Sequence, residues 1–118
     1  MLHANTVVSL NPDTKTLLSL EAALREVGFK VLSVSTPIQA RFEIEMGTCG
    51  IFLASYVMSI VICRDLIGLF RSSCPSGLVI FRVENGDDIR PEADIVLSSR
   101  DDPKAVALEI ALMRAKAS

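Results

Sequence analysis

The chain has 118 residues, 12 Lys+Arg against 14 Asp+Glu, and is half hydrophobic. That length suits one domain with a real core, residues 1–118, and a net charge of -2 leaves no basic excess for a nucleic-acid surface. Charged residues at 22% without any low-complexity tract exclude wholesale disorder.

Three cysteines, Cys49, Cys63 and Cys74, form neither a paired framework nor metal-ligand spacing, which points to reduced, buried thiols in a cytoplasmic protein. A structural zinc site needs about four ligands, and the single histidine, His3, lies at the terminus, so no metal and no cofactor is expected. No basic segment followed by an apolar one opens the chain, against a signal peptide. Ile51 to Phe70 is apolar over about a membrane-spanning length, but Arg64 and Asp65 interrupt it. A buried strand running into a half-buried helix explains the same residues, and no membrane association is expected.

Thr6 to Leu10 is a short β-branched run that reads as a strand, and Asn11-Pro12-Asp13 breaks it and can cap a helix. From Thr14 to Val27 the residues Leu17, Leu20, Leu24 and Val27 recur at helical steps, and Gly28 is the stop. Lys30 to Ser35 is a second strand. Thr36-Pro37 is an N-cap and first-turn pair opening a helix to about Met46, which Gly47 ends. Ile51 to Ser55, apolar throughout, is a third strand fit for the middle of a parallel sheet. Ile60 to Ser72 reads as a helix, Leu78 to Val83 as a fourth strand and Ile95 to Ser98 as a fifth. Asp101-Asp102-Pro103 opens a last helix to about Lys116, its acids at the start and Arg114 and Lys116 near the end.

Strand–helix alternation with five strands predicts an α/β fold: a doubly wound, flavodoxin-like parallel sheet of order 2-1-3-4-5. Between the fourth and fifth strands, Glu84 to Glu92 reads as a polar loop, so that a fourth helix there is short or absent. Functional residues in such sheets gather beyond the carboxyl ends of the strands. The candidates are Asn11, Pro12 and Asp13, then Ser55 and Tyr56, Arg82, and Ser99 with Arg100.

The order and spacing of the strands, the run Leu20 to Gly28, Met58 after the third strand and Ala93-Asp94 before the fifth carry a resemblance. Over nearly its whole length the chain resembles the receiver domain of bacterial two-component response regulators. The resemblance implies a site of two acids after the first strand holding Mg²⁺, and an aspartate ending the third strand that accepts a phosphoryl group. It further implies a Ser or Thr ending the fourth strand and a Lys ending the fifth. Here Asn11 and Pro12 stand where the acidic pair belongs, with Asp13 next to them. Ser55 stands at the acceptor position, Arg82 replaces the hydroxyl residue, and Ser99 falls near the lysine position. One carboxylate does not assemble a metal site. The chain therefore reads as a degenerate acceptor pocket, a pseudo-receiver, and not as an enzyme.

Each residue also has a plain structural reading. Ser55 is a small residue closing a crowded strand, Arg82 an exposed or locally paired arginine, and Asp13 a helix cap. Tyr56 is an interface aromatic or simply half-buried, and Asp87 and Asp88 belong to a solvated loop. Cys63 alone has a cationic neighbour, Arg64.

The function expected is a non-phosphorylatable signalling module acting through a protein partner or a homodimer. Its surface would be Arg90 to Ala117, where Ala105, Ala107, Ala111 and Ala115 make the last helix small-sided. A small anion or nucleotide sensor, with Arg82 and Arg100 reading the anion, is the alternative, although no glycine-rich phosphate loop supports it. A serine or cysteine enzyme lacks a base other than His3. An anti-sigma-antagonist-like domain shares the alternation but opens with strands, where this chain has a long helix by residue 14.

Overall fold

The computed structural model describes residues 5–47, 49–55, 59–83, 93–98 and 102–117. Five short runs form strands: β1 (Thr6–Leu10), β2 (Lys30–Val34), β3 (Ile51–Ser55), β4 (Leu78–Val83) and β5 (Ile95–Ser98). Between and after them lie helices α1 (Thr14–Glu26), α2 (Pro37–Glu45), α3 (Ile60–Ser73) and α4 (Pro103–Ala117). All strands pair in parallel in the order β2-β1-β3-β4-β5, as the alternation predicts.

Local chemistry sets the helix boundaries. Asp13 caps α1 by accepting from the Thr16 N–H at 3.2 Å, and Thr36 caps α2 by accepting from the Gln39 N–H at 3.2 Å with Pro37 behind it. Gly28 and Gly47 follow α1 and α2 with φ of 100° and 68°, in the left-handed region that side chains with a Cβ avoid. The sequence run Ile51 to Phe70 divides into β3 and α3. Among the described residues, no helix is long and apolar enough to cross a membrane.

Two cores sandwich the sheet. On one face, Val8, Leu10, Phe52, Ala54, Val79, Phe81 and Val83 meet Ala40 and Ile44 of α2 and Cys63, Leu66, Ile67 and Phe70 of α3. On the other face, Val7, Val31, Ile51, Leu53 and Ile80 meet Leu20, Ala23 and Leu24 of α1 and Val106, Ala107 and Ile110 of α4. The strict alternation along β3 and β4 is the two-residue period of a sheet covered on both sides. At the edge, Asp94 fixes the entry of β5. Its backbone N–H donates to the Val79 carbonyl at 2.9 Å, while its carboxylate accepts from the Val79 N–H at 2.8 Å and from Arg71 of α3 at 2.9 Å. Ala93-Asp94 thus ties together an edge strand, its neighbour and a helix.

The stretch 84–92, expected to lack a full helix, lies outside the described residues, as do Tyr56, Met58, Asp87 and Asp88.

Candidate functional site

The carboxyl ends of β1, β3 and β4 converge because parallel pairing holds them in register. Ser9 of β1 faces Leu53 of β3, and Asn11 and Ser55 each lie two residues further along. Ser55 is in register with Arg82, and Arg82 with Leu97. Asn11, Ser55 and Arg82 therefore share one edge of the sheet. Ser99 and Arg100, the remaining strand-end candidates, lie outside the described residues.

Asn11 is 5% exposed and works on the backbone. Its Oδ1 accepts from the Asp13 N–H at 2.9 Å, and its own N–H donates to the Val34 carbonyl at 3.1 Å, extending the β1–β2 pairing by one residue. Pro12 and Asp13 are exposed. The Asp13 carboxylate accepts from both the hydroxyl and the backbone N–H of Thr16, the cap geometry expected of it.

Those two bonds, the hydroxyl first, hold the Asp13 carboxyl below the ordinary carboxylate range. A depressed folded-state pKa means that the cap stabilises the fold above the ordinary carboxylate range. That contribution is lost as pH falls through the lowered value. Hydrogen exchange at the Thr16 amide is expected to accelerate across that acidic window in the native protein; an exchange rate following only the intrinsic pH dependence would contradict it.

Ser55 is 4% exposed, a small residue closing a crowded strand as expected. Of the two expectations for Arg82, exposed or locally paired, exposure does not hold, for it is only 5% exposed. The reason is its place in the sheet. β4 lies between β3 and β5, and alternation puts Arg82 on the face of Leu78 and Ile80, which α1 and α4 cover. Ser55 and Arg82 are both engaged with neighbouring groups. One polar residue escaped the sequence reading: Ser9 is 1% exposed, and its hydroxyl has no hydrogen-bond partner among the described residues. A serine inside a β-branched run gives no sign of which face it takes.

Cys49, before β3, and Cys74, after α3, lie away from this edge, whereas Cys63 belongs to the first turn of α3, which follows it. Cys49 and Cys63 are buried as expected, whereas Cys74, the C-cap of α3, is only half-buried. A capping position ends the inward-facing stripe, and there the Cys74 thiol donates to the Cys49 carbonyl at 2.8 Å. Burial, with Cys74 beside it, pushes the Cys49 thiol up to about 12, which keeps it protonated and unreactive.

No family model matches the chain, and no curated protein matches it. Solved structures do. A response regulator receiver domain protein (CheY-like) from Methanospirillum hungatei is 16% identical with a TM-score of 0.80, over 96% of this chain and 95% of that one. A response regulator from Thermotoga maritima is 14% identical with a TM-score of 0.77, over 95% and 98%. The response regulator TrrA from the same organism, solved in complex with Mg²⁺-BeF, is 12% identical with a TM-score of 0.76, over 92% and 98%. At such identities the likeness establishes architecture: the chain has the fold of a CheY-like receiver domain.

Proposed function

We propose that the chain is a receiver-like module that signals through protein–protein contacts and is not phosphorylated on an aspartate. One observation carries this reading: β3 ends in Ser55, buried and in register with Arg82, where an acceptor carboxylate and a hydroxyl residue would be needed. Magnesium takes hard oxygen ligands, carboxylates above all. Asp13, the carboxylate that follows β1 at this edge, is exposed and committed to capping α1. Asn11 is committed to the loop, and Arg82 adds a buried positive charge next to Ser55. The described residues at this edge do not fit the ion. Ser55 as an enzymatic nucleophile needs a base within reach, and the one histidine of the chain, His3, lies outside the described residues.

The partner surface in this reading is the β5–α4 side within Arg90 to Ala117. β5 is an edge strand on which Val96, turned to the α2–α3 face, is 38% exposed, and Leu108 and Leu112 of α4 leave 56% and 51% of their surface exposed. An open edge with apolar neighbours is a ready template for another chain.

Amide NMR spectra with Mg²⁺ and then beryllofluoride, which stands in for an aspartyl phosphate, test the reading. Unchanged spectra are expected, and shifts clustered at Asp13, Ser55 and Arg82 would overturn it. An anion sensor instead predicts that inorganic phosphate raises the melting temperature and that Arg82→Met abolishes the rise. The burial of Arg82 counts against that alternative.

A further inference from the structure

Helix α2 is apolar on two opposite sides. Ala40 and Ile44 are fully buried against the sheet, yet Ile38, Phe42 and Met46, spaced four apart, are 83%, 62% and 60% exposed. A surface helix normally presents a polar outer face. The three side chains together expose on the order of 350 Å², within the range of patches that mark interaction sites.

We infer that this stripe is a homodimer interface in which the α2 helices of two copies pack antiparallel about a twofold axis at Phe42. The stripe is suited to meet itself. Under that symmetry Phe42 meets Phe42 of the second copy, and Ile38 meets Met46. The flanking charges complement one another as well. Arg41 and Glu45 lie on one side of the stripe, 60% and 53% exposed, and pair within the helix at 2.8 Å. The twofold axis keeps this flank facing its own copy with the helix direction reversed, so each Arg41 comes beside the Glu45 of the other chain. The opposite flank brings no bare like-charge contact to the centre, because Gln39 is neutral and Glu43 is half-buried, close enough to influence Cys49.

One helix pair with its polar rim falls short of the roughly 800 Å² per partner of a standard stable interface, so the dimer is weak and concentration-dependent. It uses a different side of the sheet from the β5–α4 surface and leaves that surface open to a partner.

Sedimentation equilibrium of the full chain across roughly 10–500 μM tests the inference. The apparent mass is expected to rise from one chain toward two. Phe42→Glu should hold the protein monomeric throughout, and thermal melting of that variant checks that it folds. Arg41→Glu, at an exposed position, should weaken dimerisation at least tenfold, and the swap Arg41→Glu with Glu45→Arg should restore it. A monomer at every concentration, a dimer indifferent to Phe42→Glu, or a swap that restores nothing would overturn the interface. So would a dimer lost with Leu112→Glu on α4 and retained with Phe42→Glu. None of these outcomes bears on the beryllofluoride test.

Discussion

Phe70→Ala lowers the unfolding free energy by about 3–5 kcal/mol, a large share of what holds a domain of this size together. Phe70 has no exposed surface and packs against Phe52 with ring centroids 5.9 Å apart and the planes tilted by 37°. Its ring also lies over Gly77. A Cβ on Gly77 would come within 2.7 Å of the Phe70 ring and 3.0 Å of the Gly50 carbonyl, so this corner has no atoms free to collapse into a cavity. The same backbone carries the Cys74 N–H to Phe70 carbonyl bond at 2.7 Å that ends α3. Phe70→Leu retains most of the buried volume and should lose less than half as much. Urea titrations compare the two. Equal losses would mean that the aromatic contact with Phe52, and not the filled volume, holds the corner.

Arg82→Ala comes next, at about 2–4 kcal/mol, by loss of the packed aliphatic stem and the contacts of a buried guanidinium. Arg82 sits between Ser55 and Leu97 in a sheet row that α1 and α4 cover. Arg82→Met separates the contributions, since it fills the space without placing a charge away from water. On the present account Met loses less than half of what Ala loses, because stem packing is the larger part. A Met variant as unstable as Ala would show that the charge is the structural element. It would also give the buried cation a stronger role at the strand ends than packing.

Where sequence chemistry is local, it was legible. Short β-branched or apolar runs mark all five strands, and parallel order follows from their alternation with helices. Asp13, Thr36-Pro37, Gly28 and Gly47 mark helix ends because each satisfies or terminates the backbone within a few residues. Boundaries moved by a residue or two: the second strand stops at Val34, α3 continues to Ser73, and α4 runs from Pro103 to Ala117.

What depends on facing was harder to read. Arg82 near the end of a strand reads as exposed or locally paired until the register of β4 assigns it to the α1–α4 face. Ser9 is hidden for the same reason. In α2 the inward pair Ala40 and Ile44 and the outward stripe Ile38, Phe42 and Met46 blur each other's periodicity, so the exposed side emerges only when burial is known. At the candidate site, the cap role of Asp13 and the burial of Ser55 were legible, but not the engagement of Asn11 in the loop.

We propose that the strand-end edge has the receiver architecture without a receptive acceptor. Two-dimensional amide spectra recorded first with saturating Mg²⁺ and then with beryllofluoride address it most directly. The account predicts superimposable spectra at Asn11, Asp13, Ser55 and Arg82 in all three conditions. Saturable shifts focused on those amides, with Mg²⁺ required for the beryllofluoride effect, would contradict it and place a working acceptor at the end of β3.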